Sequence, residues 1–332
     1  PVMIGPWKKQ SALKVGLGVG LVGALFLALR HSFGRPFRSR IPDSISPAIF
    51  ATRVAPTSLG QMVYHVSGSG EPIIFLHGVY PGASSYEWSK IYPHFALGHE
   101  VIVPDLLGFG ESERPTEGLD AVDYAQSLVE FIHEVCGSRK PILVAGGVGG
   151  ALALLLASQH PELLARVVTW LPLGVARPVR RQLAAQMLGL SGVPVLRSVV
   201  WKHYLSKRPF IRSWLEQIGY RDAGKVDEET VAMLSTCASQ YGAERAMWSF
   251  LRGYFSIEMN DRLSRIVAPV TLLWPENSPI FPLADAEVIL RGLPRARLAW
   301  VQDHGLLAPL AAPDYLRGLI EAELSAGERF AA

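Results

Sequence analysis

The sequence predicts an α/β protein built on a mostly parallel, doubly wound sheet. Short β-branched runs alternate with longer helical patterns from residue 60 onward. Most runs stand roughly 20 to 40 residues apart, the room that a crossover helix between parallel strands requires. Hydrophobic residues make up 49% of the 332 and charged residues 18%, which supplies a large core and excludes a disordered chain.

Candidate strands fall at 62–66, 73–77, 101–104, 142–145, 167–171, 270–274 and 298–301. The gap from 171 to 270 breaks the alternation and reads as a helical insertion. The expected organisation is an apolar N-terminal segment with basic flanks (1–35), a linker (36–59), a first core part (60–172), a helical basic cap (173–265) and a second core part (266–332).

Residues 15–29 carry no charge. As a helix they span about 22 Å, and counting from Ser11 with Lys14 and Arg30 reaching the interfaces approaches the roughly 30 Å of a hydrocarbon core. With no small-x-small cleavage site following, the segment reads as a single transmembrane anchor rather than a signal peptide. Gly16, Gly20, Ala24 and Ala28 recur every fourth position, a small-residue ridge that lets another membrane helix approach closely. Arg30, Arg35, Arg38 and Arg40 behind it orient the large domain towards the cytoplasm.

The net charge of +3 hides an asymmetry. Residues 1–60 carry about +7 and 177–221 about +8, leaving an acidic body. In the second stretch Arg180, Arg181, Arg197, Lys202, Lys207, Arg208 and Arg212 are interleaved with aromatics such as Trp201 and Trp214. That composition suits contact with membrane lipid or a membrane protein, and nucleic acid is not the expected partner. Two cysteines, Cys136 and Cys237, offer neither a disulfide framework nor a metal cluster, so no metal is expected. The glycines around 146–150 lack the Lys-Ser/Thr of a phosphate loop, and no cofactor is expected.

Several ordered motifs resemble the α/β-hydrolase superfamily. They are His77-Gly78 after an apolar strand, the run from Asp105 to Ser112 after the next, the strand–turn–helix at 142–158, the insertion where a cap belongs, and Asp303-His304-Gly305. The resemblance implies that fold over about 60–325, preceded by the anchor. It also implies a nucleophile in a G-x-S-x-G elbow, an acid after the late strand and a terminal base. Here the elbow reads Ala145-Gly146-Gly147-Val148-Gly149, so the nucleophile position is Gly147. Ser278 stands at the acid position, and His304 matches the base. The resemblance maps oxyanion donors onto the backbone N–H groups of Val79 and Val148. Ser84, Ser85, Glu276 and Asp303 are the nearest substitute groups.

A Ser-His-Asp site that loses two members loses orders of magnitude in rate. The expected function is therefore a non-catalytic, membrane-anchored subunit with a structural or assembly role in an integral-membrane complex, its host photosynthetic or respiratory by conjecture. Two alternatives stand beside it. One is a small-ligand receptor using the vacant pocket; the other is a hydrolase or cofactor-free enzyme that depends on His304 with a relocated nucleophile.

Overall fold

A computed structural model describes residues 50–176, 194–253 and 259–331 apart from residue 294, together with 255 and 257. Eight strands form one sheet: β1 (Ala51–Thr57), β2 (Gly60–Gly68), β3 (Glu71–Leu76), β4 (His99–Pro104), β5 (Ile142–Gly146), β6 (Arg166–Trp170), β7 (Val270–Pro275) and β8 (Arg297–Val301). Their order is β1-β2-β4-β3-β5-β6-β7-β8, antiparallel over the first three and parallel from β4 onward. All seven sequence-predicted strands are present, each bound within two residues of its expected place. The strand missed is β1, which lies inside the expected linker. It is an edge strand with most side chains exposed and Pro56 near its end, so it carries no buried alternation to read.

The central strands β3 and β5 are buried almost throughout, as expected of strands covered on both faces. Helix α1 (Ala121–Cys136) begins with a capping box in which Asp120 accepts from the Asp123 N–H and Asp123 accepts from the Asp120 N–H. It buries Tyr124, Leu128, Phe131 and Ile132, which share one face. Helix α2 (Gly147–Gln159) starts directly from β5 and is buried from Gly147 to Ser158. Its glycines are explained by closeness: a Cβ on Gly149 would collide with the His77 carbonyl, and one on Gly150 with the Thr169 hydroxyl.

The cap lies between β6 and β7. It includes α3 (Pro194–Val200), α4 (Arg208–Trp214), α5 (Glu228–Ala238) and α6 (Ala243–Leu251), with π-helical turns at Trp201–Leu205 and Leu215–Gly219. After it come α7 (Leu283–Gly292), α8 (Ala308–Ala311) and α9 (Pro313–Ala331). Among the described residues no helix is long and apolar enough to cross a membrane. The anchor, with Gly16, Gly20, Ala24 and Ala28, lies outside the described residues, as do Arg180 and Arg181.

Candidate functional site

A cavity of about 460 Å3 opens between the cap and the C-terminal ends of the parallel strands, where open α/β sheets place their ligands. The loop after β3 supplies Gly78, Val79 and Tyr80, the β5–α2 junction supplies Gly147 and Val148, and the loop after β8 supplies Leu306. Most of the remaining wall is apolar side chains of the cap, among them Trp201, Leu205, Phe210, Trp214 and Phe250.

Gly147 sits at the elbow with φ +53°, in the left-handed region that glycine enters without a Cβ penalty. It has no side chain to attack a substrate. Val148 follows in the first turn of α2, where an N–H has no intrahelical acceptor. Val79 and Val148 both line the cavity, so the backbone donors suggested by the sequence flank the same space.

The loop after β8 faces the elbow with Leu306, not with His304. A Cβ built on Gly147 would lie 3.4 Å from Leu306 Cδ1. Trp170 Nε1–H donates to the Leu306 carbonyl at 3.0 Å, and the Leu306 N–H donates to the Ile218 carbonyl at 3.0 Å, fixing that loop between sheet and cap. His304 lines none of the cavity; its ring packs edge-on against Tyr315 with centroids 5.6 Å apart. Burial, then Lys225, holds its pKa below the ordinary value. Asp303 is engaged with Arg221 at 2.8 Å. Ser278 accepts from the Phe281 N–H at 3.3 Å, and neither it nor Glu276 reaches the cavity. Ser84 caps the turn at Ser85–Trp88, and Ser85 lies outside the cavity wall.

The carboxyl in the cavity wall is one that sequence reasoning passed over. Glu87, in the turn Ser85–Trp88, is fully buried and lines the cavity wall. Its Oε2 accepts the Gly78 N–H at 2.7 Å, and its carboxyl is hydrogen-bonded to the Tyr80 hydroxyl. Burial pushes its pKa up to about 8, only partly offset by those two hydrogen bonds. Its turn is anchored by Asp105, which accepts from the Ser85 N–H at 2.6 Å and the Glu111 N–H at 2.7 Å. His77 secures the same corner: its Nδ1–H donates to the Gly78 carbonyl at 2.6 Å, and its Nε2 accepts the Leu106 N–H at 3.0 Å. The available signal was a lone acidic residue between Tyr86 and Trp88, just behind the loop expected to supply an oxyanion donor.

The basic cap residues divide. Trp201 is buried and donates to the Ala238 carbonyl at 2.7 Å, while Trp214 stacks on Tyr80 with centroids 5.3 Å apart. Both aromatics therefore face inward, contrary to their expected role at a membrane or partner surface, because the cap closes an apolar cavity. Arg208 pairs with Glu228 at 2.6 Å, and Arg212 also pairs with Glu228. Lys207 is exposed, and Arg197 and Lys202 are half-buried on the same part of the cap.

This sheet order, capped insertion and elbow define the α/β-hydrolase fold. Residues 71–190 match the family model described as the alpha/beta hydrolase fold, and the comparisons support the α/β-hydrolase superfamily for this chain. The chain is 36% identical over 126 residues to 2-hydroxymuconate semialdehyde hydrolase of Pseudomonas sp. strain CF600, covering 36% of this chain and 43% of that enzyme. It is 36% identical over 107 residues to soluble epoxide hydrolase of Corynebacterium sp. strain C12, covering 32% and 36%. The chain thus spans less than half the length of either enzyme. Among solved structures, carboxylesterase CesB of Bacillus subtilis shares the fold with a TM-score of 0.67 and 17% identity, over 90% of this chain and 96% of that one.

These relatives overturn the expectation of a non-catalytic membrane subunit, since proteins similar at this level are named as hydrolases. The expectation equated a missing serine with missing chemistry.

Proposed function

We propose that the chain is a hydrolase of small, neutral, apolar substrates carrying one polarisable carbonyl, bound in the cavity beneath the cap. The observation that carries this reading is the meeting of the Val79 and Val148 backbone donors with an apolar cavity of about 460 Å3. Two N–H groups in a water-poor site stabilise negative charge developing on a carbonyl oxygen, an effect worth about 10²- to 10³-fold per donor. No lysine, arginine or histidine lines the cavity among the described residues, so an anionic substrate has no counter-charge there. The names of the similar enzymes support hydrolysis as the reaction class.

The test is hydrolysis of p-nitrophenyl esters of graded acyl length by the purified full chain. Neutral medium-chain esters should turn over, and analogues ending in a carboxylate should be at least tenfold poorer in kcat/KM. Val148→Pro deletes one N–H at a helix position that tolerates proline, and should lower kcat about 10²- to 10³-fold. Ester binding without hydrolysis at any pH between 6 and 10 overturns the reading.

A further inference from the structure

Resting on that reading, we propose that Glu87 is the catalytic base of a direct water attack, with no covalent acyl-enzyme. Three placements carry it. Glu87 lines the cavity, its Oε2 is bound by the N–H of Gly78, and its Oε1 occupies the space that a side chain on Gly146 would fill. Gly78 precedes Val79 and Gly146 stands two residues before Val148, so the carboxyl lies at the corner holding both backbone donors. Neither Gly147 nor Leu306 provides a nucleophile or a base, and His304, Asp303 and Glu276 lie outside the cavity. Glu87 is the only carboxylate among the described residues of the wall.

The step balances. A water oxygen attacks the substrate carbonyl carbon while Glu87 takes one water proton, and the carbonyl electron pair moves onto the oxygen facing Val79 and Val148. Collapse of the tetrahedral adduct breaks the bond to the leaving alkoxide, which receives the proton back from Glu87. An acid and an alcohol leave, and the carboxylate is restored. The charge of the corner stays constant: Glu87 becomes neutral as the substrate oxygen becomes negative. A permanently ionised carboxylate beside an oxyanion would oppose the reaction, whereas a base that neutralises on the same step does not. Tyr80 holds the carboxyl from the cap side, since its ring stacks on Trp214.

The experiment combines rapid-quench mass spectrometry of the protein during p-nitrophenyl ester turnover with the Glu87→Gln and Glu87→Ala variants of the full chain. Direct attack leaves the protein mass unchanged at every quench time and releases p-nitrophenol without a burst. Glu87→Gln, which keeps a group to accept the Gly78 N–H, should lower kcat by about 10²- to 10⁴-fold. Glu87→Ala should be at least tenfold faster with added formate than without it, a recovery that a merely structural carboxyl does not give. A protein that carries the acyl group at any quench time shows that a protein atom attacked and overturns the proposal. So does a Glu87→Gln variant with the wild-type rate, which leaves the hydrolase reading standing. A wild type with no turnover overturns both.

Discussion

The Glu87 carboxyl occupies the place of a side chain that Gly146 lacks. Two residues 59 positions apart in the chain thus share one volume, and the glycine at the elbow is the condition for the carboxyl in the cavity. Gly146→Ala should force Glu87 off the Gly78 N–H. Crowding of this kind in a packed site costs about 1–3 kcal/mol, and a shift of about 1 Å at a reacting group costs up to about 10²-fold in rate. Urea midpoints and kcat measured on the same preparation would show both losses together.

The raised pKa of Glu87 has a signed consequence for stability. The folded protein keeps a proton on this carboxyl up to about pH 8, while the unfolded chain loses it near 4.5. The contribution is complete below 4.5 and is lost as pH rises through about 8, at no more than about 1.4 kcal/mol per pH unit. Unfolding free energies at pH 5, 6.5 and 8 should therefore fall more steeply in the wild type than in Glu87→Gln. Parallel curves for the two proteins contradict the buried, protonated carboxyl.

His304 should be dispensable for turnover. Its ring lies against Tyr315 and outside the cavity wall. His304→Ala is expected to keep kcat/KM within about twofold, because the group touches neither substrate nor donors. A hundredfold loss would restore it as the base and displace Glu87.

A serine at the elbow should not work alone. Gly147→Ser meets a left-handed backbone costing about 1–2 kcal/mol and faces the methyl groups of Leu306. Without a base its hydroxyl stays a poor nucleophile. The single variant should therefore resist labelling by a fluorophosphonate probe, and Gly147→Ser combined with Leu306→His should label measurably faster. Equal labelling of the two variants would show that Leu306 does not face the elbow productively.

The sheet was legible in the sequence because strands buried on both faces appear as unbroken apolar runs: 73–76 and 142–145 need no partner information to be found. Edge strand β1 was not, since its face is mostly wet and its pairing with β2 supplies the order its pattern lacks. The elbow at Gly147 was legible through the resemblance of 145–149 to the G-x-S-x-G turn of the α/β-hydrolases. The third site position was not, because an Asp-His-Gly string suggests a base while the turn at Gly305, with φ +74°, carries the chain on so that Leu306 meets the cavity. Glu87 was missed for a related reason. Nothing local distinguishes a solvated acid from one buried by a glycine on another strand, and the contact exists only once β3 and β5 pair. Likewise Trp201 and Trp214 looked like interfacial aromatics until the cap turned them inward over the cavity.

Hydrolysis in this cavity is tested most directly by following one neutral eight-carbon p-nitrophenyl ester from pH 6 to 10, with quenching of the wall tryptophans Trp201 and Trp214 reporting its binding. A base titrating near 8 should make kcat rise about 100-fold from pH 6 to a plateau above pH 9, while Glu87→Gln stays low and flat. Saturable quenching with no release of p-nitrophenol at any pH would contradict it, leaving a cavity that binds without reacting.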